Sequence, residues 1–162
     1  MELVIQKAVE LGAFAVVPVA AKRCVVKLDA KKEKSKLARW QGIAESAAKQ
    51  SKRRIVPEVM PVMSMQEALH FAKDMDVKLF PYELAEGMGK TKELIAGIRP
   101  GQSIAVFIGP EGGFAPEEIA MVKDEMNLIS LGSRILRTET AGFTTLAILM
   151  YHIETSCLEK SN

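Results

Sequence analysis

Cysteine is nearly absent from this chain, with only Cys24 and Cys157 near opposite ends. Two thiols so placed exclude a disulfide framework, a zinc site and a redox C-x-x-C pair, and fit reduced thiols of a cytosolic protein. Long apolar runs are missing too. The longest uncharged stretch, Ala141 to Ile153 with Thr140 just before it, falls short of the ~20 residues that a bilayer requires. The opening MELVIQKAVELG scatters its charges and has no apolar stretch ahead of a small-residue cleavage site, which excludes a signal peptide. Neither the phosphate-binding pattern G-x-x-x-x-G-K-S/T nor the dinucleotide pattern G-x-G-x-x-G occurs, so a nucleoside triphosphate is disfavoured as a ligand. No internal repeat, linker or low-complexity tract interrupts the chain.

What is present is an ordinary globular balance. The 162 residues are 48% hydrophobic and 26% charged, enough for one domain burying about two-thirds of its unfolded surface. Charge of one sign is also lacking, with 22 Lys and Arg against 20 Asp and Glu. Its distribution, however, is uneven. Between Lys22 and Arg54, twelve basic residues face Asp29, Glu33 and Glu45, a local +9, which leaves −7 on the remainder. Such a run is either a solvated face or a field suited to phosphate contacts.

Residues 2–11 set Leu3, Val4, Ala8 and Leu11 at helical spacing, and Gly12 follows as a stop. The apolar run Ala13 to Ala20 fits a buried strand, with Pro18 near its end. From Lys31 to Arg54 a long helix is expected, with Leu37, Trp40, Ile43, Ala44 and Ala47 on its apolar stripe. Arg39, Ser46, Gln50 and Arg53 then share another face. Trp40 reads as core rather than as a base-stacking surface, and His70 and His152 as ordinary helix residues.

Farther on, Ser64 with Glu67 forms a capping box, Val77 to Phe80 reads as a strand, and Lys90 to Ile98 as a short helix. Ser103 to Gly109 is an apolar run typical of strands covered on both faces. Pro116 opens a helix to about Met126, Asn127 to Leu131 makes a last strand, and a final helix runs to about Leu158. On that helix Phe143, Leu146, Ala147, Met150 and Ile153 fill one face, and Leu149 with Tyr151 extends the apolar surface around it. A helix so apolar needs cover on two sides, from a large core or a partner subunit. The alternation predicts an α/β domain with a mainly parallel sheet and helices on both faces.

Two loops follow apolar strands and precede helices, the place where open α/β sheets bind ligands. Gly109-Pro110-Glu111-Gly112-Gly113 suits close backbone approach to a ligand, or is only a turn that needs glycine. The stretch Leu131-Gly132-Ser133-Arg134-Ile135-Leu136-Arg137-Thr138-Glu139 is either an anion clamp or a local Arg–Glu pair capped by Thr138.

The strings IGPEGGF (108–114) and LGSRILRTETA (131–141) carry a resemblance, joined by QKAVELG (6–12) and Arg23 ahead of Val25 and Val26. Glu45, Gln50, Ser51, Arg53 and Pro57 add to it. Together they resemble the RsmE family of ribosomal RNA uridine N3 methyltransferases, within the SPOUT superfamily. The resemblance implies an α/β fold with a deep trefoil knot, which periodicity could not have supplied. It also implies that the family's N-terminal β-rich RNA-binding domain lies outside this chain, residues 1–162 being the methyltransferase domain alone.

S-adenosylmethionine is the implied cofactor. The resemblance maps its site onto Leu84, then Ile108, Gly109, Pro110, Glu111, Gly112 and Gly113, then Leu131, Gly132, Arg134, Ile135, Leu136 and Ala141. No metal is implied. Uridine N3 must lose a proton as it attacks, so Arg137, Arg53 or Arg23 is expected to stabilise charge on the uracil oxygens. Glu139 is the acidic candidate for the base, or else orients an arginine. Small-subunit ribosomal RNA is expected to meet Arg23, Gln50, Lys52, Arg53 and Arg54. The final helix is expected to pack in a homodimer. Two departures from the family pattern are Ala115, where a capping Ser is usual, and Gly142, where a larger apolar residue is usual.

Overall fold

Leu79 and Phe80 are neighbours on one strand, both fully buried, and they belong to different apolar cores. Successive strand residues point to opposite faces, so a sheet covered on both sides makes both of them core residues. That strand, β3 (Val77–Pro81), lies in the middle of a three-stranded parallel sheet between β4 (Ile104–Val106) and β5 (Asn127–Ile129). The computed structural model describes residues 1–24, 30–85 and 87–159. Val25, Val26 and Asp29, named above, lie outside the described residues.

Ahead of this sheet, α1 (Glu2–Glu10) and α2 (Ala30–Gln50) pack on a parallel pair of two-residue strands, β1 (Ala15–Val16) and β2 (Glu58–Val59). Their shared core is Ile5, Val9, Trp40, Ala44 and Val59. On one face of the central sheet, α3 (Met65–Phe71) and α5 (Pro116–Val122) close over Phe80. On the other, α4 (Met88–Gly97) and α6 (Thr138–Glu159) supply Leu94, Ile95, Leu149 and Ile153 around Leu79. The expected α/β alternation with helices on both faces is present, though among the described residues the five strands form two parallel sheets.

Local signals set most boundaries. Ser64 caps α3 and Glu67 reaches back to the Ser64 N–H, completing the capping box. Gly12 leaves α1 with φ +96°, and a β-carbon there would come within 2.6 Å of the Met150 sulfur, so α1 ends directly on α6.

Other expectations need correction. Leu3 is exposed, and the buried stripe of α1 is Ile5, Ala8 and Val9, one helical face over. α2 stops at Gln50, after which Lys52 takes a left-handed φ of 58° and Arg53 turns back under the helix, so Arg53 does not share a face with Arg39. The run Ala13 to Ala20 pairs only at Ala15–Val16 and at a single bridge, Val19 to Met63. On α6 the buried residues are Thr145 and Leu149, with the expected Ile153 partly buried beside Leu149, whereas Tyr151 is 74% exposed. Its outer face shows Ala147, Ile148, Tyr151 and Leu158.

Candidate functional site

Because β3 has β4 on one side and β5 on the other, the connections that leave the sheet diverge at the carboxyl ends of the strands. Divergence of this kind opens a crevice for ligands. A cavity of about 1020 Å³ lies there, walled by Tyr82 and Glu83 after β3, Ile108–Phe114 after β4 and Ser130–Thr138 after β5. Glu139 and Ala141 at the start of α6, and Arg23 from the turn after β1, complete the wall.

The β4 loop has a rigid base. Phe114 turns inward and stacks on Phe80 with ring centroids 4.4 Å apart. Gly109 lies against that ring, and a β-carbon there would approach it to 2.9 Å, so this glycine serves close approach rather than unusual backbone geometry. Gly113 (φ +67°) and Gly132 (φ +110°) are the two that need left-handed backbone. Gly113 closes a turn by donating to the Pro110 carbonyl at 2.8 Å.

Charges ring the opening. Arg23 Nη1 donates to the Gly112 carbonyl at 3.0 Å. Lys22 Nζ donates to Glu117 Oε1 at 2.6 Å, and this hydrogen bond holds the Glu117 carboxyl below the usual carboxylate range. Arg134 and Arg137 are exposed, Glu139 half-buried, and no hydrogen bond or ion pair joins them among the described residues. The alternative reading of a local Arg–Glu pair is therefore not what the loop adopts.

The structure brings together all but one of the residues expected at the cofactor site. Leu84 is 72% exposed and does not line the cavity; Tyr82 and Glu83 take that wall instead, because the chain turns outward just past them. Arg137, Glu139 and Arg23 stand at the cavity as expected. Arg53 does not. Its guanidinium donates to the carbonyls of Val9 at 3.0 Å, Gly12 at 3.2 Å and Ala13, capping the end of α1, and burial pushes its pKa down from the ordinary value. The expected catalytic role for Arg53 is replaced by a structural one. Gln50, Lys52 and Arg54 are exposed beside it, outside the cavity. Gly142 packs on Ile108, where a β-carbon would meet Cγ1 at an ordinary 3.7 Å, so the space there is not tight.

Sequence reasoning missed Tyr82, Glu83, Ser130 and the buried Glu118. Glu118 carried a legible signal as the third residue of a helix opened by Pro116, the position from which a Glu caps its own helix.

The chain matches the model of the RNA methyltransferase domain family over residues 1–150. It is 40% identical to the Ribosomal RNA small subunit methyltransferase E of Bacillus subtilis, over 95% of this chain and 62% of that protein. Against the protein of the same description in Mesomycoplasma hyopneumoniae the identity is 38%, over 90% of this chain and 61% of the relative. The crystal structure of a Ribosomal RNA small subunit methyltransferase E from Neisseria gonorrhoeae bound to S-adenosyl methionine aligns with a TM-score of 0.79 at 35% identity, covering 94% of this chain and 61% of that one. The chain thus spans about three fifths of the length of these relatives.

Proposed function

Because the chain belongs to the RNA methyltransferase domain family, we propose that it transfers a methyl group from S-adenosylmethionine to N3 of a uridine in small-subunit ribosomal RNA. The observation that carries the reading is the cavity itself: two glycine-bearing loops line it, and Arg137, Glu139 and Arg23 stand at its wall. Its volume, about 1020 Å³, suits a nucleoside-sized ligand. At Gly109, Gly112 and Gly132, which line the cavity without a side chain of their own, adenine and methionine groups can be held by N–H and C=O groups.

Bound there, S-adenosylmethionine supplies an electrophilic methyl carbon on its sulfonium. The protein's part is mostly positioning. Arg137, which has no side-chain hydrogen bond or ion pair among the described residues, places its guanidinium against a uracil oxygen and favours the anionic base as the N3 proton leaves. Glu139, at the first turn of α6, accepts that proton. Carbon–sulfur cleavage and nitrogen–carbon formation then balance without a metal or a redox step. The basic segment holding Arg23, Gln50, Lys52 and Arg54 contacts RNA phosphates.

Three further parts of the reading rest on the family resemblance. The segment from Leu131 into α6 threads through the preceding loop as a trefoil knot. Residues 1–162 form one methyltransferase domain. The outer face of α6, with Ile148 and Tyr151, packs on a second copy in a homodimer.

Mass spectrometry of nucleosides from small-subunit RNA treated with protein and S-adenosylmethionine tests the proposal. Donor-dependent 3-methyluridine is expected. A ribose 2′-O-methyl product assigns another methyltransferase specificity, and absence of both donor binding and product leaves a non-catalytic RNA-binding module.

A further inference from the structure

Glu118 is only 2% exposed, and both its carboxylate oxygens accept backbone hydrogen bonds. Oε2 accepts from the Ala115 N–H at 2.8 Å, a local bond across the first turn of α5. Oε1 accepts from the Lys22 N–H at 3.0 Å, across 96 residues of sequence. The second bond docks the turn carrying Lys22 and Arg23 against the end of the Gly109–Phe114 loop. Two other bonds cross the same junction, Lys22 to Glu117 and Arg23 to the Gly112 carbonyl, but both are exposed. Exposed ion pairs hold little, whereas loss of a buried acceptor strands the donors that faced it.

Within the loop one backbone bond, Gly113 to Pro110, sets a turn. Its shape therefore depends on its anchors, which are the Phe114 ring at the core and Glu118 at the far end. At Gly112 the two segments touch closely, with a β-carbon there reaching 3.3 Å from Arg23 Cβ.

The geometry points to Glu118 as a positioning residue for methyl-donor binding: it joins Ala115 to Lys22, sets the cavity-facing loop and places Arg23 at the rim. The basic segment and the donor cavity are thereby mechanically coupled. This inference rests on the reading of the cavity as the donor site.

Glu118→Gln keeps the volume and leaves one acceptor oxygen for two N–H donors. In that variant amide exchange at Lys22, Gly113 and Ala115 is expected to speed up at least tenfold while β3 amides stay protected. S-adenosylmethionine, titrated calorimetrically well below the melting temperature, is expected to bind at least fivefold more weakly. A defect of stability alone lowers Tm but leaves a Kd measured on folded protein unmoved. Unchanged exchange, or a Kd within twofold of the parent chain, overturns the assignment. If the parent chain itself binds no S-adenosylmethionine, the donor-site reading fails, and the exchange rates still decide whether Glu118 holds the junction. Should Glu118→Gln not fold, Arg23→Ala tests the same coupling from its exposed side. Exchange at Gly113 and the donor Kd should each rise at least threefold, and no change in either overturns it.

Discussion

Gly109 lies edge-on against the ring of Phe114, so near that a β-carbon would come within 2.9 Å of Cε2, and the ring is itself held on Phe80. Neither neighbour can give way cheaply, since Phe80 is fully buried. Gly109→Ala is expected to cost about 1–3 kcal/mol as an overpacking change and to weaken donor binding about tenfold. Urea denaturation and calorimetry check the two numbers; a variant with parental stability contradicts the packing argument.

Arg53 acts through α1, not through the cavity. Arg53→Ala takes a charged donor from the carbonyls of Val9, Gly12 and Ala13, of which Val9 keeps the Gly12 N–H, and is expected to lower stability by about 1–3 kcal/mol. Methyl transfer by the folded fraction should stay within threefold of the parent. A hundredfold loss of kcat without loss of stability would restore Arg53 to the reaction.

Arg137 is the opposite case, exposed and without a partner at the cavity. Its replacement by Ala is expected to reduce kcat/KM by about 10²–10³, the usual effect of removing a charge-stabilising donor. Melting should shift by less than about 2 °C, because ~0.5 kcal/mol or less is at stake for an exposed surface residue. Steady-state kinetics and thermal melts separate this outcome from a packing defect.

Acid stability turns on exposed serine–carboxylate clasps. The Asp76 carboxyl accepts from the hydroxyl and N–H of Ser103, and Glu67 from those of Ser64, and these bonds pull both groups below the ordinary carboxylate range. A folded pKa below the unfolded one means the stabilisation is complete above the unfolded value and is lost as pH falls through the folded value. Stability should therefore hold from neutral pH to about 5 and fall below about 4. Ser103→Ala should flatten that acid limb; an unaltered limb in denaturation at several pH values counts against the clasp.

Lys52 and Arg54 lie outside the cavity and serve only the RNA reading. Changing both to Gln is expected to weaken RNA binding and to shrink its salt dependence by about one unit of slope per lost phosphate contact. Donor affinity should not change. An unaltered salt slope in filter binding would remove this face from the RNA surface.

Much of the architecture was legible in order along the chain. The Ser64–Glu67 box, Pro116 at a helix start and the apolar run into β4 are local devices, and each element appears where they put it. Errors came where periodicity underdetermines the face. Leu3 and Ile5 are equally apolar, and only packing against α2 decided that Ile5 turns inward. For the apolar surface of α6 the sequence left core and partner subunit both open, and Tyr151 stands outside the core, since Thr145 and Leu149 hold the inward side.

By itself, the sequence determined the α/β alternation, the two glycine-bearing loops and the charge asymmetry, because backbone preference, capping and side-chain period act over a few residues. Only the tertiary structure decided that those loops share one cavity, that Arg53 caps α1 and that Glu118 grips Lys22. Those contacts join segments dozens of residues apart. Which distant partner a buried donor or acceptor meets depends on how the packed helices and sheets bring it to one place, and no local pattern encodes that meeting.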